Sequence, residues 1–195
     1  MRKVYLFMMV SLDGYFEGKG HDLGWHNVGG EFNEFAIRQV GETDTILLGR
    51  KTYQLFEDFW PAAEKDPKTA EDDRIIAKML GDTAKVVFSK KLEATKWRNA
   101  RISKDAPAEV AWLKREAGKD IAIFGSNNLC VSLIKAGLVD EFRIMVNPVS
   151  IGGGTLLFAG LDARLGLELV KTRAFNSGNV LLYYRPRQPD KGAKK

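Results

Sequence analysis

Thr45-Ile46-Leu47-Leu48-Gly49-Arg50-Lys51-Thr52-Tyr53 sets a short apolar run against a glycine, two cations and a hydroxyl in immediate succession. Bounded by Asp44 and Gly49, the run at 45–48 reads as a buried strand, and residues 50–56 read as a helix that starts beyond the glycine. Amide N–H groups at a helix N-terminus favour an anion, and a residue without Cβ lets a phosphate reach the backbone. The stretch therefore suits a pyrophosphate or a ribose phosphate. Phe124-Gly125-Ser126-Asn127 repeats the device after a strand at 120–124, with Ser126 as N-cap of a helix that carries Leu129, Cys130, Leu133 and Ile134 on one face. Ser89-Lys90-Lys91 follows a third strand at 85–88. Three strand ends of this kind point to one crevice, because ligands of open α/β sheets lie beyond the carboxyl ends of the strands. Ile151-Gly152-Gly153-Gly154-Thr155, after a strand at 142–146, holds more glycine than a turn needs and would let a cofactor pass close to the backbone. A G-x-G-x-x-G fingerprint between a strand and a helix is absent, so any nucleotide site is of another design.

Outward from these segments, Val4–Val10 reads as a strand and Leu12-Asp13-Gly14-Tyr15 as a turn. Met8 and Met9 would then face opposite sides, with only one of them toward the more buried side. Residues 31–40 are helical and end at Gly41; 61–73 are a polar loop insertion; 74–80 and 108–117 are further helices. Segments at 167–175 and 180–184, joined by Asn176-Ser177-Gly178-Asn179, form a hairpin. The expected fold is α/β: a mostly parallel central sheet flanked by helices, with a C-terminal antiparallel hairpin. It spans 1–185 as a single domain and leaves 186–195 as a basic flexible tail.

With 195 residues, 45% of them hydrophobic, the chain can bury roughly 70% of its unfolded surface in one core. Cys130, the only cysteine, excludes an intramolecular disulfide framework and fits a reducing compartment; the expected location is cytoplasmic. On the apolar face of a helix, it reads as core. No run approaches the roughly 18 apolar residues of a membrane span. The net charge of +5 divides into +4 in residues 185–195 and +1 elsewhere, and no arginine-rich face with interleaved aromatics marks a nucleic-acid partner. His21 and His26 lack a third metal-type ligand nearby, so no metal is expected.

Taken in order, Ser11-Leu12-Asp13-Gly14-Tyr15, Leu47–Tyr53, Val87-Phe88-Ser89-Lys90, Phe124-Gly125-Ser126 and Asn147-Pro148-Val149-Ser150-Ile151-Gly152-Gly153-Gly154 resemble the signatures of the dihydrofolate-reductase-like superfamily. The branch they resemble more closely is built on the reductase domain of the bacterial riboflavin-biosynthesis deaminase/reductase. The resemblance covers about residues 2–185. It implies an NADPH-binding fold in which Gly49, Arg50, Lys51 and Thr52 hold the phosphates, with Arg50 on the ribose 2′-phosphate. It also implies Ser89 and Lys90 as the second wall, Gly125, Ser126 and Asn127 at the pyrophosphate, and Val149, Gly152, Gly153 and Gly154 along the nicotinamide. Trp25, within Asp22-Leu23-Gly24-Trp25-His26, resembles the tryptophan of the substrate pocket, and Asp13 is a second substrate-side candidate. Glu31 and Glu34 are the catalytic candidates for a protic group; Asp13, His21, His26 or a water are the alternatives.

Two departures concern the substrate. The helix after Trp25 has no arginine before Arg38, and the downstream segment reads Phe56-Glu57-Asp58-Phe59-Trp60-Pro61 in place of an Asp-Pro-x-Leu-x-x-Arg-like ribosyl-phosphate segment. The implied activity is NADPH-dependent hydride transfer to a small heterocyclic substrate, resembling 5-amino-6-(5-phosphoribosylamino)uracil reductase. Dihydrofolate reduction and a non-catalytic nucleotide-binding module are the alternatives. A homodimer is expected, with Trp97, Trp112, Phe59 and Trp60 as aromatic material for an interface.

Overall fold

Strand β1 (Val4–Val10) is buried on both faces, and that burial explains the architecture around it. In the computed structural model, which describes residues 1–187, Met8 packs in the apolar cluster of Cys130 and Leu133 while Met9 packs with Phe35 and Met145. The two methionines do face opposite sides, but both sides are equally dry because helices cover each.

The remaining elements are β2 (Tyr15–Glu17), α1 (Gly30–Gly41), β3 (Thr43–Gly49), α2 (Arg50–Lys65), α3 (Glu71–Asp82), β4 (Ala84–Phe88), β5 (Ala100–Ser103), α4 (Ala106–Leu113), β6 (Asp120–Ile123), α5 (Asn127–Lys135), β7 (Glu141–Val146), β8 (Thr155–Leu156), β9 (Leu167–Ala174) and β10 (Val180–Pro186). The main sheet runs β5-β4-β3-β6-β1-β7-β10-β9; β5 to β7 are mutually parallel, and β10 and β9 close it antiparallel. β2 and β8 form a separate antiparallel pair. The α/β fold with a C-terminal hairpin is therefore as expected.

Local boundaries differ in several places. The expected loop at 61–73 is mostly helix: α2 runs through Pro61 to Lys65, and only 66–70 connect it to α3. Pro61 forfeits one backbone donor. The turn beyond it is held by buried Ala63 and by Glu64, which accepts from Arg98 at 2.6 and 3.0 Å. β5 is not legible in the sequence because Ala-Arg-Ile-Ser is a weak apolar signal; parallel pairing from Lys85↔Ala100 to Phe88↔Ser103 creates it. The helix expected at 108–117 begins at Ala106, where Asp105 Oδ1 accepts from the Ala108 N–H at 3.1 Å, and ends at Leu113. At the other end of the chain, β10 continues to Pro186, and the Arg187 N–H donates to Gly166 O at 2.9 Å. Residues 188–195 of the expected tail lie outside the described residues.

Trp97, expected as interface material, is core: only 5% exposed, it packs with Ile46, Leu48, Tyr53 and Val87. Cys130 is fully buried with its thiol pushed up to about 12 by burial, which leaves it unreactive.

Candidate active site

The crossovers that leave β3 and β6, neighbours in the sheet, depart in opposite directions. From β3 the chain passes through α2 and α3 to β4; from β6 it passes through α5 to β7, beyond β1. α2 packs through Tyr53 against Ile46, Leu48 and Val87, while α5 packs through Leu129, Cys130 and Leu133 with Leu6, Leu47 and Ile123, in a separate cluster. Such a reversal opens a crevice at the carboxyl ends of the strands. Ser89-Lys90, Gly49–Thr52, Gly125–Asn127, Asp13 and Val149–Gly154 follow β4, β3, β6, β1 and β7, five adjacent strands, so the fold gathers them along one edge.

At the centre, Gly49 and Ser126 are the N-cap residues of α2 and α5, and among the described residues neither helix receives a side-chain capping bond there. The hydroxyl of Ser126 thus occupies the cap position without capping. Two helix N-termini with orphan amides stand side by side, joined by the Gly49 N–H donating to Gly125 O at 3.0 Å. The glycines here serve chain-to-chain approach. A Cβ on Gly49 would overlap Ser126 Oγ, and one on Gly125, whose φ is +103°, would lie 2.9 Å from Thr52 Oγ1.

Around this centre the cations differ in freedom. Arg50 is half-buried and donates to Gln54 Oε1 at 3.1 Å within its own helix. Lys51 is exposed and lies 3.1 Å from His21 Nε2. Lys90 is exposed; Ser89 Oγ is turned into its own loop, accepting from the Lys91 and Leu92 N–H groups at 3.0 and 2.9 Å. The Asn127 amide donates to the carbonyls of Leu156, Leu157 and Ala159, which ties the 155–159 loop to the start of α5.

Asp13 and the glycine loop form one unit. Its carboxylate accepts from Ser150 Oγ at 2.8 Å, Gly152 N at 2.8 Å and Ile151 N at 3.2 Å. The Ser11 hydroxyl, followed by these groups, holds the Asp13 carboxyl well below the usual carboxylate range. Val149 O accepts from the Leu12 N–H at 2.7 Å, and Gly154, with φ +144°, presses its backbone on the carbonyl of Glu17. Asp13 is thereby occupied in shaping the wall.

On the substrate side, Trp25 is half-exposed, lies outside the three apolar clusters, and donates its indole N–H to Asp22 O at 3.1 Å. Glu31 accepts from the Asn176 N–H at 2.8 Å and from Arg173 at 3.1 Å, and these two contacts lower its pKa, so it joins α1 to the terminal hairpin as an ionised group. Glu34 is exposed, 3.9 Å from Arg38 on the same helix. Burial lowers the pKa of His26, which packs edge-on against Trp25.

Residues to which the sequence analysis gives no individual role also line this edge. Phe7 on β1 and Phe124 at the end of β6 are half-buried and meet edge-on at 6.1 Å; Phe7 also packs on Phe35 at 5.6 Å, and Phe35 on Phe32 at 6.4 Å. Asn147, fully buried, donates to Val10 O and Met145 O and accepts from the Asn27 N–H at 2.9 Å, which hangs the 25–28 segment on the ends of β1 and β7. Aromatics in separate strands carry no signal until the strand order brings them together. Away from this edge, a hollow between α1 and β7 is lined by Glu42, Asp120, Glu141 and Arg143, whose charges pair with one another; Arg143 Nε lies 2.6 Å from Glu141.

The chain is similar to several known proteins. A Bacillus subtilis protein described as uncharacterized, YyaP, is 35% identical over 185 residues, covering 94% of each chain. The structure of a Thermotoga maritima diaminohydroxyphosphoribosylaminopyrimidine deaminase/5-amino-6-(5-phosphoribosylamino)uracil reductase superposes with a TM-score of 0.67 at 14% identity, over 95% of this chain and 57% of that longer one. Dihydrofolate reductase from Enterococcus faecalis, in complex with NADP(H), gives 0.61 at 14% identity, over 95% and 97%. The fold is thus dihydrofolate-reductase-like, and with the RibD C-terminal domain matching residues 2–181, the chain belongs to the RibD C-terminal domain family.

Proposed function

We propose that the protein is an NADPH-dependent reductase acting on a small, flat heterocycle. One observation carries the reading: two uncapped helix N-termini converge at Gly49 and Ser126, with Arg50 and Lys51 beside them. Orphan amides, a hydroxyl at Thr52 and adjacent cations are the donor set a phosphorylated dinucleotide requires. The bound coenzyme would supply the hydride. Arg50 would meet the 2′-phosphate, while Lys51, Thr52 and the amides of Ser126 and Asn127 would hold the other phosphates. Ser89 and Lys90 would form the outer wall, and the 149–154 loop, held by Asp13, would border the nicotinamide. Phe124, next to Gly125 in the chain, with half-buried Phe7 against it and Phe32 joined to them through Phe35, would supply an apolar surface against which a ring can lie, with Trp25 at its rim.

Neither expected carboxylate is set up as an acid. Glu31 is held ionised by Asn176 and Arg173, and Glu34 faces solvent and Arg38; we assign Glu31 to orienting the hairpin and proton delivery to solvent water. Dihydrofolate reduction is less favoured, because the acidic residue that would engage a pterin is already occupied. The assembly we propose is a homodimer. β9 is the long edge of the sheet, with Leu169 and Val170 about half exposed, and a second copy pairing there would shield them.

Titration with NADPH and NADH, followed by nicotinamide fluorescence, tests the reading. Saturable binding with NADPH preferred is expected; no binding of either overturns it.

A further inference from the structure

Lys51 does not stand alone at the crevice. Its ammonium lies 3.1 Å from His21 Nε2; His21 Nδ1 lies 2.8 Å from Glu17 Oε2; and Thr155 Oγ1 donates to Glu17 Oε1 at 2.7 Å. An ammonium can only donate, so in this contact Nε2 accepts and Nδ1 carries the proton donated to Glu17. The relay bridges opposite walls of the crevice, since Lys51 opens α2 and Thr155 follows the glycine loop directly.

The backbone is shaped for this contact. Gly20 and His21 are both left-handed, with φ +71° and +66°, and the turn is closed by the Gly18 N–H donating to Asp22 O at 2.8 Å and the His21 N–H to Gly18 O at 3.2 Å. A histidine adopts that conformation seldom. Here it returns the imidazole to Glu17, four residues earlier. Glu17 is itself fixed, because its carbonyl lies against Gly154 and Lys19 packs on Gly153.

Resting on the coenzyme reading above, we infer that Glu17 and His21 are positioning residues that aim Lys51 into the crevice. One of the three ammonium protons is spent on His21, and two remain for phosphate oxygens. A lysine held in advance loses less rotamer freedom on binding, which is worth about three- to tenfold in affinity for one flexible side chain.

Two measurements on the full chain separate the relay from the coenzyme. Nitrogen-15 spectra of the ligand-free protein should show His21 in the Nδ1–H tautomer, and Glu17→Ala combined with Lys51→Met should convert it to a tautomeric mixture. NADPH titration should show His21→Ala weaker by about three- to tenfold, His21→Gln restored to within about twofold because the amide both accepts and donates, and no further loss when His21→Ala is added to Lys51→Met. An Nε2–H tautomer, or His21→Ala binding NADPH as tightly as the unaltered protein, overturns the relay. An unaltered protein that shows the tautomer but binds no NADPH overturns the coenzyme reading, and with it the role assigned to Lys51.

Discussion

Gly49 and Ser126 are packed so closely that a Cβ on the glycine would overlap the serine hydroxyl and lie 3.1 Å from its backbone nitrogen. The ends of β3 and β6 can meet only because position 49 has no side chain. Gly49→Ala should therefore separate the two helix N-termini, costing about 1–3 kcal/mol of stability as an overpacked contact and weakening NADPH binding further than that loss explains. Urea unfolding together with coenzyme titration checks both parts; an alanine variant with unchanged values would show that the strand ends tolerate spreading.

Among the described residues, Arg50 spends one guanidinium N–H on Gln54 and keeps the rest of its donors. Arg50→Ala should lower affinity for NADPH by roughly tenfold or more, the worth of one charge-assisted hydrogen bond, and leave NADH nearly unchanged. Unaltered preference between the two would remove Arg50 from the 2′-phosphate site.

Asp13 gathers three donors from residues 150–152, and as a carboxylate it can accept from all of them. Asp13→Asn turns one acceptor oxygen into a donor facing other donors. Faster hydrogen exchange at the Ile151 and Gly152 amides is expected, with exchange in β3 unaffected. Equal protection in both proteins would mean that the loop holds its shape without the charge.

His26 gives a pH dependence of definite sign. Burial lowers its pKa below the ordinary 6.5, so as pH falls through 6.5 the unfolded chain takes up the proton first. Its contribution to stability is complete above that pH and declines below it until the folded-state pKa is passed. Asp13 and Glu31, with lowered pKa values, lose theirs in a more acidic range. Denaturation midpoints of His26→Gln should consequently vary less than those of the unaltered protein between about pH 6.5 and 5. Parallel curves would assign the slope to other groups.

Leu169 and Val170 lie side by side on the edge strand, 51% and 53% exposed. Replacing both with lysine should leave the fold intact and shift sedimentation from dimer to monomer, since charge on an edge discourages pairing. A dimer that survives the double substitution would place the interface elsewhere.

Periodicity and punctuation in the chain were enough to find β1, β3, β4, β6, β7 and the terminal hairpin, because apolar runs ended by glycine or turn residues are local signals. Ser89, Gly49, Gly125 and Gly152 were legible as strand-end residues for the same reason. The helix through Pro61 was not, since a tertiary anchor, Glu64 on Arg98, sustains it against a local breaker. Nor was the occupation of Glu31, whose partners Arg173 and Asn176 stand more than 140 residues away. Sequence by itself determined most of the strands and helices and which of their ends bring glycines, hydroxyls and cations together. Tertiary structure alone decided that β6 inserts between β3 and β1, bringing Gly49 against Ser126 and Phe7 against Phe124, and that Lys51 meets His21. Hydrogen bonding between neighbouring strands and burial against distant partners set those contacts, and neither is written in any local stretch of the chain.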